Sequence, residues 1–154
     1  MDFVAGSPSR EPDKPIKNNE FWPYVDVEDL RMAMQISESI TPPRLRLVTL
    51  DQIAEVNADL YDFRLSQLAK GYQHLNEVPA SKLDETSILL LFYKKAVYSL
   101  VKSHILEKYR SLDLTNSGNK KAQDMEETID ELVRDARHAI SDIQGRPHLT
   151  VDLL

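Results

Sequence analysis

The order of apolar and polar positions divides the chain into helical stretches punctuated by proline and glycine. From Asn119 onward, Ala122, Met125, Ile129, Leu132, Val133, Ala136, Ile140 and Ile143 recur at steps of three and four. That spacing predicts one long amphipathic helix with its charges on the other faces. Gly145 supplies a left-handed stop, and Pro147 forbids continuation. In the segment that follows, Leu149, Val151 and Leu153 alternate with Thr150 and Asp152, the pattern of a strand. No other segment reads as its partner, and a lone strand leaves backbone groups unpaired. Residues 146–154 are therefore either loose, folded back on the chain's own helices, or, the expectation adopted, an extended docking tail completed by another chain.

Upstream, Thr41 before Pro42 and Pro43 reads as a helix start, with Thr41 as cap. The helix should run to Lys70 and stop at Gly71, burying Leu45, Val48, Ile53, Val56, Leu60 and Phe63. Uninterrupted, it would be roughly 43 Å long. Residues 72–84 read as a loop. Asp84 or Thr86 should open the next helix, which runs to about Leu112 and is apolar nearly all round from Ile88 to Val101, as a central helix is. The turn from Asp113 to Gly118 leads to the last helix. Asp26 is placed to cap a short helix from Val27, with Asp29 at its third position. Before it, Phe21, Trp22 and Tyr24 crowd around Pro23. Such aromatics either anchor a partner or plug the domain's own core.

Together these elements predict an all-α fold: a small bundle of three long helices plus a short one. A polar, proline-rich arm over 1–19 is expected to be disordered, the helical domain to span 20–145, and the tail to span 146–154. The expected core is Leu60, Phe63, Leu89, Phe92, Ala96, Leu100, Ile129, Leu132, Ala136 and Ile140.

Composition narrows function mainly by exclusion. The chain of 154 residues suits one domain with tails. It has no cysteine, which removes disulfides, thiol catalysis and zinc-thiolate sites. A net charge of −6 argues against a general nucleic-acid binder, though not against a protein standing beside DNA. The helix from Glu85 to Leu112 carries net +3 and the stretch from Asp113 to Gly145 net −4, so the two would attract as neighbours, weakly per exposed pair. No signal peptide is visible in the first twenty residues. The longest apolar run, Ile88 to Phe92, is too short to cross a membrane.

Candidate chemistry is sparse. Asp135 and His138 have the i, i+3 spacing of two ligands on one helix face. Di-iron bundles need two such pairs plus further acids, so a metal carrier or bundle enzyme using this pair is the alternative to a solvated polar face. The acidic run Asp124, Glu126, Glu127, Asp130 and Glu131 reads as a wet helix face that would repel nearby DNA. His104 reads as a core histidine, and Lys94 with Lys95 is too short for a nucleic-acid patch. No nucleophile meets a base, and no Gly-rich phosphate loop occurs. The expectation is no enzyme, no cofactor and no metal.

Several segments carry a resemblance. They are Phe21 to Pro23 with Asp26; Arg44 and Leu45; Asn57 to Tyr61; Ala69 to Tyr72 with Leu75 and Val78 to Ala80; Glu107 to Arg110 with Asp113; and Thr128 to Leu132 with Arg134, Asp135, Ile143 to Gly145 and Pro147. In this order and spacing, from Lys17 to Leu154, the chain resembles the head-completion (head-stabilisation) proteins of P2-type contractile-tailed phages. One departure is Val133, where members of that family carry a tryptophan around this helix. The resemblance implies a virion structural protein, a helical head-tail connector adaptor at the neck, present in the host cytoplasm before assembly. Its implied partners are the portal protein, neighbouring copies in a ring of 12, and a downstream neck or tail-terminator protein. Packaged DNA would lie nearby without sequence-specific binding. The positions expected to meet partners are Phe21, Trp22, Tyr24, Arg146, Leu149, Val151 and Leu153.

Overall fold

The structure is a computed structural model and describes residues 14–113 and 119–147. In chain order the elements are α1 (Val27–Ala33), α2 (Pro42–Asp59), α3 (Tyr61–Ala69), a 3₁₀ turn (Leu75–Glu77), a hairpin of β1 (Lys82–Leu83) and β2 (Thr86–Ser87), α4 (Ile88–Asp113) and α5 (Asn119–Gln144). The fold is mainly helical. α4 is its centre, packed along α5 on one side and against α2 on another. Tyr93, Ala96, Val97 and Val101 of α4 are fully buried, which explains why this stretch is apolar nearly all round.

Helix ends follow local chemistry. The Asp26 carboxylate accepts from the Glu28 and Asp29 amides at 3.0 and 3.2 Å, so α1 is capped as expected. α3 and α5 both end in a two-bond cap over a glycine. Gly71, at φ +93°, donates to the Leu68 carbonyl while Tyr72 donates to Gln67. Gly145, at φ +68°, donates to Asp142 while Arg146 donates to Ser141. Each pair satisfies the last carbonyls of its helix.

Four expectations need correction. Thr41 is the N-cap residue of α2, yet its side chain makes no capping bond. Pro42 and Pro43 remove two of the first-turn amide donors, so little is left to cap. The predicted helix from 42 to 70 breaks at Leu60, which sits at φ −99°, ψ 12°. No proline or glycine marks the place. Leu60 is fully buried, and the Asp59 carbonyl accepts from the Gln144 side chain at 3.4 Å. A side chain entering the helical ladder is a recognised cause of such a bend.

The third correction is the hairpin. Lys82 pairs with Ser87 and Leu83 with Thr86, where the sequence reads as loop and helix start. Asp84 and Glu85 make the turn at φ 49° and 61°, a two-residue turn of the kind that usually carries Asn-Gly. The unusual residues hid it. α4 then opens beyond Ser87, whose hydroxyl accepts from the Leu89 amide at 3.3 Å, rather than at Asp84 or Thr86.

The fourth concerns the arm. Residues 14–19, counted there by sequence, lie against the domain: Ile16 is buried and exchanges both backbone hydrogen bonds with Val25, at 2.7 and 3.0 Å. A single apolar residue in a polar stretch gives no period to detect. Residues 1–13, the turn at 114–118 and residues 148–154 of the tail lie outside the described residues.

Of the expected core, Leu60, Leu89, Ala96, Ile129 and Ala136 are buried. Phe63, Phe92, Leu100 and Ile140 are half-buried against the core, and Leu132 is half-buried. The core also takes in Ile16, Phe21, Trp22, Val25, Leu75 and Val78.

Candidate partner-binding site

The segment Lys14–Val25 works as a strap. Its outer end is held where Arg46 donates to the Lys14 carbonyl at 2.8 Å. The Asn19 side chain accepts from the Phe21 and Trp22 amides, each at 3.2 Å, which turns the chain sharply inward. The Phe21 carbonyl accepts from the Leu75 amide at 2.9 Å, and the Glu20 carbonyl lies 2.6 Å from His74 Nδ1.

This turn drives two aromatics into the domain. Phe21 and Trp22 are each 2% exposed. Trp22 stacks on Tyr93 at 5.0 Å and on Phe63 at 6.3 Å, and Phe21 meets it edge-on at 4.7 Å. Aromatic pairs in these geometries add about 0.5–1.5 kcal/mol each beyond area burial. Phe21 and Trp22 thus plug the domain's own core in this chain, the second of the two roles their pattern allowed, and present no ring surface for the partner contact expected of them. The indole Nε1 is buried with no hydrogen-bond partner among the described residues.

Above the rings, three side chains close a hydrogen-bonded circuit. The Tyr93 hydroxyl donates to Asn57 Oδ1 at 2.6 Å and accepts from Asn18 Nδ2 at 2.7 Å. Asn57 Nδ2 donates to Asn18 Oδ1 at 2.8 Å. The circuit ties the strap, α2 and α4 together. Burial pushes the Tyr93 hydroxyl well above the ordinary tyrosine range, against the opposing bond from Asn18.

Tyr24 is different. It is 64% exposed and stands between two surface grooves of about 410 and 420 Å³, which share Pro23, Tyr24 and Leu90. The second groove ends at a small charged cluster. Asp29 Oδ2 accepts from Lys94 Nζ and from the Tyr98 hydroxyl, both at 2.6 Å, and Lys94 lies 5.2 Å from the Tyr98 ring centre. The Lys94 bond, then the Tyr98 bond, hold the Asp29 carboxyl below its ordinary value. Burial first, then Asp29, pushes the Tyr98 hydroxyl up. On the far side of α1, Arg31 is buried and donates to the Ser37 and Ile40 carbonyls at 2.9 and 3.0 Å, fixing the connection to α2.

The remaining sequence candidates do not converge. His138 shares a groove with Glu107, Asp130, Arg134 and Arg137; Asp135 is not among its lining residues. Among the described residues no three histidine or acidic side chains gather as a metal set would. His104 is half-buried, and the acidic run from Asp124 to Glu131 is exposed. Arg146 is exposed just past the α5 cap, while Leu149, Val151 and Leu153 lie outside the described residues. The Asn18, Asn57 and Tyr93 circuit and the Asp29, Lys94 and Tyr98 cluster were missed, because their members are dozens of positions apart and share no period.

Comparison with known proteins places this architecture. The family described as "Phage head completion protein (GPL)" matches residues 16–154, from the first buried residue of the strap onward. The chain is 39% identical over 136 residues to the "Head completion/stabilization protein" of Escherichia phage P2, covering 88% of this chain and 80% of that protein. It is 26% identical over 144 residues to the "Probable head completion/stabilization protein" of Haemophilus phage HP1, covering 92% and 93%. No solved structure matches it. A strapped helical domain whose matched region begins at the strap's own anchor thus belongs to the phage head completion protein family.

Proposed function

We propose that this chain is a virion structural protein, a head-tail connector adaptor that binds the portal ring after DNA packaging, stabilises the filled head and offers a platform for the tail. The family match over nearly the whole chain carries this reading. The fold supports it: a tightly strapped helical domain, an exposed Tyr24 beside two grooves and an acidic α5 face. An acidic surface can stand near packaged DNA without gripping it. The setting is the neck of the particle, with copies in a ring of 12, the portal on one side and a downstream neck or tail-terminator protein on the other. Before assembly the chain resides in the host cytoplasm.

Within this reading Tyr24 is a contact for the partner. Arg146 and the alternating Leu149, Val151 and Leu153 form a docking tail that adds a strand to the portal. Particles assembled without the chain should fill with DNA and then lose it, and the purified chain should bind isolated portal rings. Removing residues 147–154 should leave helicity unchanged and abolish that binding. Stable, infectious particles lacking the chain would refute the role.

A further inference from the structure

Helix α5 ends against the junction of α2 and α3. The Gln144 side chain donates to the Asp59 carbonyl at 3.4 Å. Gly145 then closes the helix at φ +68°, and Arg146 donates to the Ser141 carbonyl to complete the cap. The tail therefore leaves the domain beside Asp59.

An apolar stripe begins at that point. Ala58, Ala54, Leu50 and Leu47 recur along α2 at steps of three and four, and Tyr61 and Leu65 continue the line on α3. All six are exposed, the four large ones each by at least 43%. Soluble monomers seldom leave so continuous an apolar strip uncovered. Its margins carry both signs, Arg44 at one end and Asp51, Glu55, Asp59 and Asp62 along it, all exposed. Charge therefore does not choose the occupant; position and length do.

We infer that the α2 part of the stripe is the resting place of the chain's own tail in the free subunit. Arg146 to His148 supply the passage from Asp59 to Ala58, adjacent positions about 100° apart around the helix. From Ala58 to Leu47 the stripe runs about 17 Å. Residues 148–154, extended, reach about 23 Å. Ala58 and Ala54 leave a trough between Tyr61 and Leu50, and Leu149 is the first apolar side chain of the tail to arrive there. Alternate side chains of a strand fall about 6.7 Å apart on one side. Val151 then comes beside Leu50 and Leu153 beside Leu47, while Thr150 and Asp152 face water.

A tethered segment meets a nearby surface at an effective concentration on the order of millimolar, so a modest apolar contact holds it without a second chain. The consequence rests on the connector reading. The three side chains that cover the stripe are those assigned to the portal, so the tail serves one surface at a time. The free subunit keeps it on α2, and docking on the portal draws it off.

The chain has no cysteine, so disulfide trapping in the full chain tests this directly. Leu50→Cys is combined with Val151→Cys, and for comparison Asp62→Cys with Val151→Cys. Asp62 is closer to Asp59 along the chain than Leu50 is, but lies off the line of the stripe. Folding of both variants is checked by circular dichroism. In dilute oxidising solution the Leu50 pair should form an internally linked monomer at least about tenfold faster than the Asp62 pair. The linked monomer should fail to bind isolated portal rings, and reductant should restore binding. Equal rates for the two pairs would mean a tail without a resting place and overturn the inference. So would linked dimers in place of monomers, or no link in a folded variant. A linked monomer that binds portal rings as well as its reduced form would overturn the exclusion of one surface by the other. If the parent chain leaves portal rings unbound while the internal link forms, the connector reading fails and the resting place stands.

Discussion

The indole of Trp22 lies almost flat on the phenol ring of Tyr93, centroids 5.0 Å apart and planes 11° from parallel. One residue comes from the strap and the other from the second turn of the central helix, so this stack is where the strap is fastened to the core. It makes the single tryptophan a structural member of the domain.

Truncating it should be costly. Trp22→Ala is expected to remove about 3–5 kcal/mol of stability, lowering Tm by roughly 10 °C. Thermal unfolding followed by circular dichroism measures this, and a change below 2 °C would contradict the packing described.

Tyr93→Phe keeps the stack but breaks the circuit above it. The Asn57 oxygen loses its donor, and the cost should be about 1–3 kcal/mol. Combining it with Asn57→Ala should cost less than the two single changes added together, because both act on one network. Denaturant unfolding of the four proteins gives the coupling, and strict additivity would count against a shared circuit.

Tyr93 and Tyr98 have hydroxyls raised by burial. Their neutral forms are favoured in the fold, so the stability they contribute is intact below pH 10 and falls as pH rises beyond it. Alkaline absorbance titration should show two of the six tyrosines resisting ionisation until the protein unfolds. Six tyrosines titrating together near pH 10 would refute this.

Asp29 gives the acid-side test. Its carboxyl is held below 3.8, chiefly by Lys94. The pairing therefore contributes above pH 3.8 and is lost as pH falls through the depressed value. Both side chains are about half exposed, so Lys94→Met should cost under about 1 kcal/mol at neutral pH. The gap between variant and parent in urea unfolding should close as pH drops below 3.8. A gap that persists at pH 2 would mean the loss is one of packing.

Gly71 and Gly145 cap α3 and α5 at positive φ, and a Cβ at either would meet nothing within 4 Å. Gly71→Ala and Gly145→Ala should therefore each cost about 1 kcal/mol, from backbone strain alone. A Tm unchanged in both would contradict the left-handed geometry.

Much of this architecture is legible in the sequence because it is written locally. Asp26 sits one residue before α1, Gly145 follows α5 directly and Gly71 comes one residue past the end of α3, and the stripe of α5 repeats within a turn. What was missed depends on residues far apart. Leu60 has no sequence mark of a break, and the contact beside it, from Gln144 to the Asp59 carbonyl, comes from 85 positions away. Asp84 and Glu85 adopt a turn that their types disfavour. Ile16 is a lone apolar residue whose meaning appears only beside Val25. The aromatic trio illustrates both sides: its weight was evident, but which rings turn inward depends on Asn19 and Leu75.

The strap also sets an order of events. Asn18 is made long before the groups it holds, with Asn57 39 positions later and Tyr93 75 positions later. The helices of the bundle close through nearer neighbours, whereas the strap must wait for α4 before Trp22 has anywhere to go. Distant contacts of this kind form late. A segment made before its partners should then settle after them, a latch thrown after the box is shut, and the fluorescence of one indole would mark the moment.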